Sequence, residues 1–167
     1  MPLYDVNDLA TYRERGRRLI GIDLGEKTIG VAISDATWRI ATPLMVLKRT
    51  NRNADIASVL SLANQYHAVG IIVGLPINMN GSHGPQSEKM REFARHLSEL
   101  SQLLVALWDE RLSTAAVNRT LLDADMSRKR RGEVVDKLAA TYILQGALDR
   151  LRTAEPSYFS GYDRTNF

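Results

Sequence analysis

Hydrophobic and polar positions change rhythm twice along this chain. Between residues 18 and 48 they form three β-rich stretches, "RLIGIDLG", "TIGVAISD" and "ATPLMVLKR", joined by brief polar links. Three successive strand signals so closely linked predict an antiparallel meander. Pro43 has no amide donor, so the third strand is expected at an edge or to begin beyond that residue.

From residue 53 the period lengthens. Ile56, Val59, Leu60 and Ala63 recur at i, i+3, i+4 and i+7, which predicts a helix with Asn53 as its N-cap. "VGIIVGLP" is a short unbroken apolar run, the pattern of a strand covered on both faces. A polar, Gly-rich loop, "INMNGSHGPQ", follows. Pro85 suits the first position of the next helix, whose apolar face is Met90, Phe93, Ala94 and Leu97. "LLVALW" reads as a second covered strand and ends at "DERLST". Ser113 or Thr114 is placed to cap a short helix to about Asp123. Beyond a basic loop, "GEVVDKLAATYILQGALDRL" makes the last helix.

The order βββ, αβ, αβ, α, α predicts an α/β fold: a five-stranded mixed sheet, strand order 3-2-1-4-5, with helices on both faces. Right-handed crossovers make the fourth and fifth strands parallel to the first. All 167 residues are read as one domain, with a core at about 17–152, a loosely ordered arm at 1–16 and a loosely ordered tail at 153–167. Ligand sites in such sheets gather at strand carboxyl ends. That places Asp23, the loop after Gly74 and Asp109–Glu110 on one rim.

Composition narrows the function classes. An apolar content of 44% and a charged content of 25% are ordinary for a globular protein in water. No apolar run approaches the roughly 18–20 residues needed to span a bilayer, and the first 20 residues have no signal-peptide core. A cytoplasmic protein with no membrane partner is expected. There are no cysteines, which excludes disulfides, thiolate zinc sites and a cysteine nucleophile. The net charge of +3 says less than its distribution. Arg13, Arg15, Arg17 and Arg18 cluster near the start, and Arg128, Lys129, Arg130 and Arg131 stand together in "SRKRR". Such runs suit an anionic partner, and they equally suit a solvated surface.

At three places along the chain, acids sit where packing does not ask for them. Asp23 interrupts the first apolar strand, on the side of Gly21 and Gly25 and opposite Ile22 and Leu24. Read alone, it also fits an acid that accepts from turn amides. Asp109 and Glu110 follow a covered strand, and alternation sends them to opposite faces, one toward the site and the other toward a structural partner such as Arg111. Asp136 leads a stripe with Ala140, Ile143 and Ala147 that is otherwise apolar, so it is expected to point at the sheet. A first-turn acid is favoured by the helix dipole, but that accounts for its position along the helix and not for its face. Carboxylates gathered at one rim repel unless a cation joins them. Hard oxygen donors with no His or Cys pattern nearby indicate Mg²⁺ or Mn²⁺. Acids holding two such ions are apparatus for phosphodiester cleavage, and the basic runs then become phosphate contacts.

The stretches "GIDLGEKTIGVAISD", "IIVGLPINMNGS", "WDERLST" and "VDKLAATYILQGALD" resemble, in order and spacing, the four blocks of the bacterial YqgF family. The resemblance covers roughly Leu19 to Leu151. It implies an RNase H-like fold related to the RuvC resolvases and a nuclease that processes the 5′ end of pre-16S rRNA. The family's other described role implies Holliday junction resolution instead, in DNA recombination or repair. By that similarity Asp23, Glu110 and Asp136 are the catalytic and metal-binding acids, with Asp109 the nearest candidate for a fourth. Lys27, Asn78, Asn80, Arg111 and the basic run 128–131 are candidate contacts to nucleic acid, either pre-rRNA in ribosomal subunit precursors or branched DNA. His83 is read first as a surface residue and only second as a proton relay, and Trp108 as core rather than a base-stacking platform. A four-way junction cutter needs two active sites and hence a homodimer, whereas a monomer suffices to trim one RNA strand. Two rivals remain at this stage. One is an ATPase of the actin and Hsp70 group, suggested by "GIDLG". The other is an RNA-binding assembly factor that does not cleave.

Overall fold

In the computed structural model, which describes residues 3–13, 16–76, 84–112 and 138–153, the apolar runs become the middle of a sheet. Its strands are β1 (Tyr4–Asp5), β2 (Arg18–Leu24), β3 (Thr28–Ser34), β4 (Ala41–Lys48), β5 (Ala68–Leu75) and β6 (Leu104–Asp109). The order is β1-β6-β5-β2-β3-β4. Strands β2, β3 and β4 form the expected antiparallel meander, while β5 pairs parallel to β2 and β6 parallel to β5. The expected order 3-2-1-4-5 is therefore present, with one strand added at the edge beyond the fifth.

That added strand corrects two expectations. The sheet has six strands among the described residues, not five, and the segment read as a loose arm supplies the sixth. Tyr4 and Asp5 pair parallel to Ala106 and Leu107. A 3-10 helix over Val6–Tyr12 follows and buries Val6 and Leu9. Asp5 caps it, accepting from Asn7 N at 2.9 Å. A two-residue strand leaves no period in the sequence, and its pairing is decided by β6, about a hundred residues further along the chain.

Helix α1 (Arg52–Gln65) is capped by Asn51, whose side-chain oxygen accepts from Ala54 N at 2.9 Å. The cap is thus two residues earlier than Asn53, and both are asparagines. Helix α2 (Pro85–Glu99) begins at its proline as expected and buries Met90, Phe93, Ala94 and Leu97. The last described helix, α3, covers residues 138–153. Pro43 sits in the edge strand β4, where the pairing skips Leu44 between Val31↔Met45 and Ala32↔Pro43. The tail 154–167 and the expected helix after Ser113 lie outside the described residues.

Two apolar layers flank the sheet. On one face Ile20, Ile22, Leu24, Ile71 and Val73 pack with Ile56 and Val59 of α1 and Phe93 and Leu97 of α2. On the other, Leu19, Ile72, Ala106 and Trp108 pack with Ala140, Ile143, Leu144 and Ala147 of α3. Strand alternation makes this division, so β2 sends Leu19, Gly21 and Asp23 toward the α3 side. Among the described residues, no helix is long and apolar enough to cross a membrane.

Candidate active site

Two glycines let α3 and a carboxylate lie against the sheet. A Cβ on Gly21 would stand 2.6 Å from Leu144 Cβ and 3.2 Å from the Ala140 carbonyl oxygen. A Cβ on Gly74 would stand 2.4 Å from Ile143 Cδ1 and 3.0 Å from Glu110 Oε1. Interior strand glycines often mark such close approaches. Here they show that Gly21, Gly74, the Glu110 carboxylate and α3 share one face of the sheet.

Register then places Asp23. It follows Gly21 by two residues and so shares that face. Ile22 pairs with Val73, and one step further along both strands sets Asp23 beside Gly74, with backbones about 4.8 Å apart. Gly74 in turn pairs with Trp108 on β6. Glu110 leaves β6 in a 3-10 turn (Glu110–Leu112) and brings its carboxylate back over Gly74. Asp23 and Glu110 therefore flank Gly74 on the same face of the sheet at the carboxyl rim. Both are buried, 5% and 7% exposed.

Asp109 and Glu110 diverge as alternation requires. Asp109, the last residue of β6, holds Arg111 in a fork: Nη2 donates to Oδ2 at 2.7 Å and Nε to the same oxygen at 3.0 Å. The Arg111 backbone amide also donates to Asp109 Oδ1 at 2.9 Å. The side-chain bonds push the guanidinium pKa up and outweigh the desolvation that opposes them, with the Asp109 charge adding less. Lys27 is exposed in the β2–β3 turn, just beyond Asp23 along the chain. That turn is closed by Gly25 N donating to Thr28 O at 2.8 Å, and Arg49 ties it to β4 by donating from Nη1 to Gly25 O at 2.8 Å. Trp108 is buried in the α3 layer as core.

Helix α3 is pinned to the far side of the meander by Gln145. Its Oε1 accepts from Ala41 N and its Nε2 donates to Arg39 O, each at 2.9 Å. The stripe of Ala140, Ile143 and Ala147 is fully buried. Its remaining member, Asp136, lies outside the described residues, as do Asn78, Asn80, His83, Arg128, Lys129, Arg130 and Arg131. Among the described residues, no three potential ligands gather as a metal centre. The two acids that do converge offer hard oxygen donors, which fit Mg²⁺ or Mn²⁺ rather than a soft thiophilic ion. The sequence reading missed Gly74 as the seat of Glu110. Its signal was a glycine inside an otherwise unbroken apolar strand.

Comparison with known proteins comes from three directions. Residues 17–150 match a family model described as "RuvX: Holliday junction resolvase". A protein of Methylocella silvestris named "Putative pre-16S rRNA nuclease" is 52% identical over 153 residues, covering 92% of this chain and 95% of its own. A Nitrobacter hamburgensis protein of the same name is 54% identical over 142 residues, covering 85% and 86%. Among solved structures, T. thermophilus RuvC in complex with Holliday junction substrate superimposes with a TM-score of 0.51. It covers 82% of this chain and 97% of that one at 14% identity, a likeness of fold.

Proposed function

The chain belongs to the RuvX (YqgF) family, and from that premise we propose that it is a metal-dependent endonuclease that processes the 5′ end of pre-16S rRNA. The observation that carries the site assignment is the convergence of Asp23 and Glu110 over Gly74. The observation that favours rRNA over a DNA junction is the name shared by relatives at 52–54% identity.

In this reading Asp23, Glu110 and Asp136 hold the divalent ions. When bound, the ions supply Lewis acidity and neutralise charge on the scissile phosphate. The protein fixes the donors beforehand. Asp23 is set by a central strand with neighbours on both sides, and Glu110 is seated on Gly74 against Ile143. Asp136 precedes Ala140 by four residues, the spacing of one helical turn, and the Ala140 carbonyl is among the α3 atoms nearest Gly21. Burial keeps the carboxylates from wandering and limits competing water. Asp109 is a positioning residue that aims Arg111 along the rim, where a guanidinium meets a phosphate oxygen. Lys27, Asn78, Asn80 and the run 128–131 contribute phosphate contacts that orient the strand without reading its sequence. The protein acts in the cytoplasm, on nucleic acid within ribosomal subunit precursors.

The test compares wild type, Asp23→Asn and Glu110→Gln on precursor 16S rRNA and on a synthetic four-way junction, with Mg²⁺ or Mn²⁺ and with chelator. Metal-dependent cutting of the rRNA precursor by wild type alone is expected. Preferred cutting of the junction would transfer the assignment to resolution. RNA binding without cleavage under every metal condition would leave a non-cleaving assembly factor.

A further inference from the structure

The opposite rim of the sheet carries a second feature that the nuclease reading does not use. At the amino ends of β2 and β5, about 20 Å along β5 from Gly74, lies an open cleft of about 250 Å³. Its polar lining is Arg17, Asn64, His67 and Ser101, and Leu100 and Leu103 form part of its apolar wall. None of its described lining residues is acidic.

Two of these residues are under-used by the fold. The Arg17 guanidinium makes a long contact, Nη2 to the Ala68 carbonyl at 3.4 Å, while its buried Nε has no hydrogen-bond partner. A buried donor left unpaired is uncommon and costs stability. His67 occupies the position after the C-cap of α1 at φ +57°, with its amide donating to Asn64 O at 3.3 Å. That left-handed position is one where helices most often place glycine. A side chain is kept there nonetheless, and it lines the cleft. Leu100 adds an apolar lip that is 63% exposed.

We propose that this cleft binds a phosphate monoester of single-nucleotide size. The guanidinium and imidazole take the phosphate oxygens, and the Asn64 carboxamide with the leucine wall takes the planar or apolar body. The ligand is a free mononucleotide or the 5′-phosphorylated end of a strand, since both present the same chemistry. The site is independent of the metal-binding acids, so it is testable even if the nuclease reading fails.

The experiment is calorimetric titration of the full chain in chelator with AMP, inorganic phosphate and a 5′-phosphorylated tetranucleotide. AMP is expected to saturate, about tenfold tighter than inorganic phosphate. Arg17→Gln should weaken AMP about tenfold. His67→Gly should weaken it several-fold without lowering Tm, because the backbone there accepts glycine more easily than histidine. Asp23→Asn should bind AMP as wild type does. Equal affinity for AMP and the tetranucleotide assigns strand ends, and preference for AMP assigns a free nucleotide. No saturation by about 5 mM, no preference over inorganic phosphate, or unchanged affinity in both cleft variants overturns the proposal.

Discussion

Asp55, in the first turn of α1, is 3% exposed, and Asp23, at the end of β2, is 5% exposed. The chain treats these two buried acids differently. Asp55 meets a cation of the same chain, with Arg49 Nε donating to Oδ2 at 3.2 Å, and it accepts from Thr50 N at 3.0 Å. Its surroundings account for its charge and tie the α1 start to the end of β4. Asp23 is instead led toward a second acid, Glu110, over a strand thinned to glycine at Gly74. Two buried acids brought onto one face of a sheet favour a cation that joins them.

The comparison can be broken by substitution, and the largest effect belongs to the rim. Asp23→Asn should cut cleavage by about 10³-fold in single-turnover assays while moving the urea midpoint little. Next is Gly74→Ala. Its Cβ has only 2.4 Å to Ile143 Cδ1 and 3.0 Å to Glu110 Oε1, so Glu110 must shift. Cleavage should fall about 10²-fold, because small displacements of catalytic groups are that costly. Asp55→Ala should do the reverse of Asp23→Asn. It should lose about 2 kcal/mol of stability, since it strands Thr50 N and a partly exposed Arg49, while cleavage per folded molecule stays unchanged. If Asp55→Ala abolished cleavage at full stability, the division between the two acids would be wrong.

The smallest effect is a pH dependence. Asp35 heads the β3–β4 loop. Burial alone would raise its pKa, but hydrogen bonds from Ile40 N, the Thr37 hydroxyl, Arg39 N and Thr37 N outweigh that and bring it from 3.8 down to about 2. The folded state holds this proton less readily than the unfolded chain. The associated stabilisation is therefore complete above about pH 4 and disappears as pH falls toward 2. For a half-buried carboxylate it amounts to about 1 kcal/mol after solvent screening. Denaturant midpoints measured across that window should fall less steeply for Asp35→Ala than for wild type.

Much of this was legible from residue types and spacing. Alternation and helical period gave the βββαβα order because each face of each core strand is filled by its own residues, such as Ile20 and Ile22 against Leu19. Asp23 stood out because an acid breaks an apolar run. The choice between Asp109 and Glu110 was not settled by alternation. It depends on where β6 ends and the 3-10 turn begins, which fixes Arg111 onto Asp109 and turns Glu110 inward. The N-terminal strand was illegible because two residues carry no period and their partner is about a hundred positions away. The role of Gly74 needed α3 in place, since what a Cβ would strike there is Ile143.

The account rests most directly on ion binding at the rim, and one measurement addresses it. Crystals of the wild-type protein soaked in Mn²⁺ should show an anomalous peak about 2–2.5 Å from oxygens of Asp23 and Glu110, with Asp136 joining them. A map with no peak there, and the three carboxylates turned toward separate partners, would contradict it.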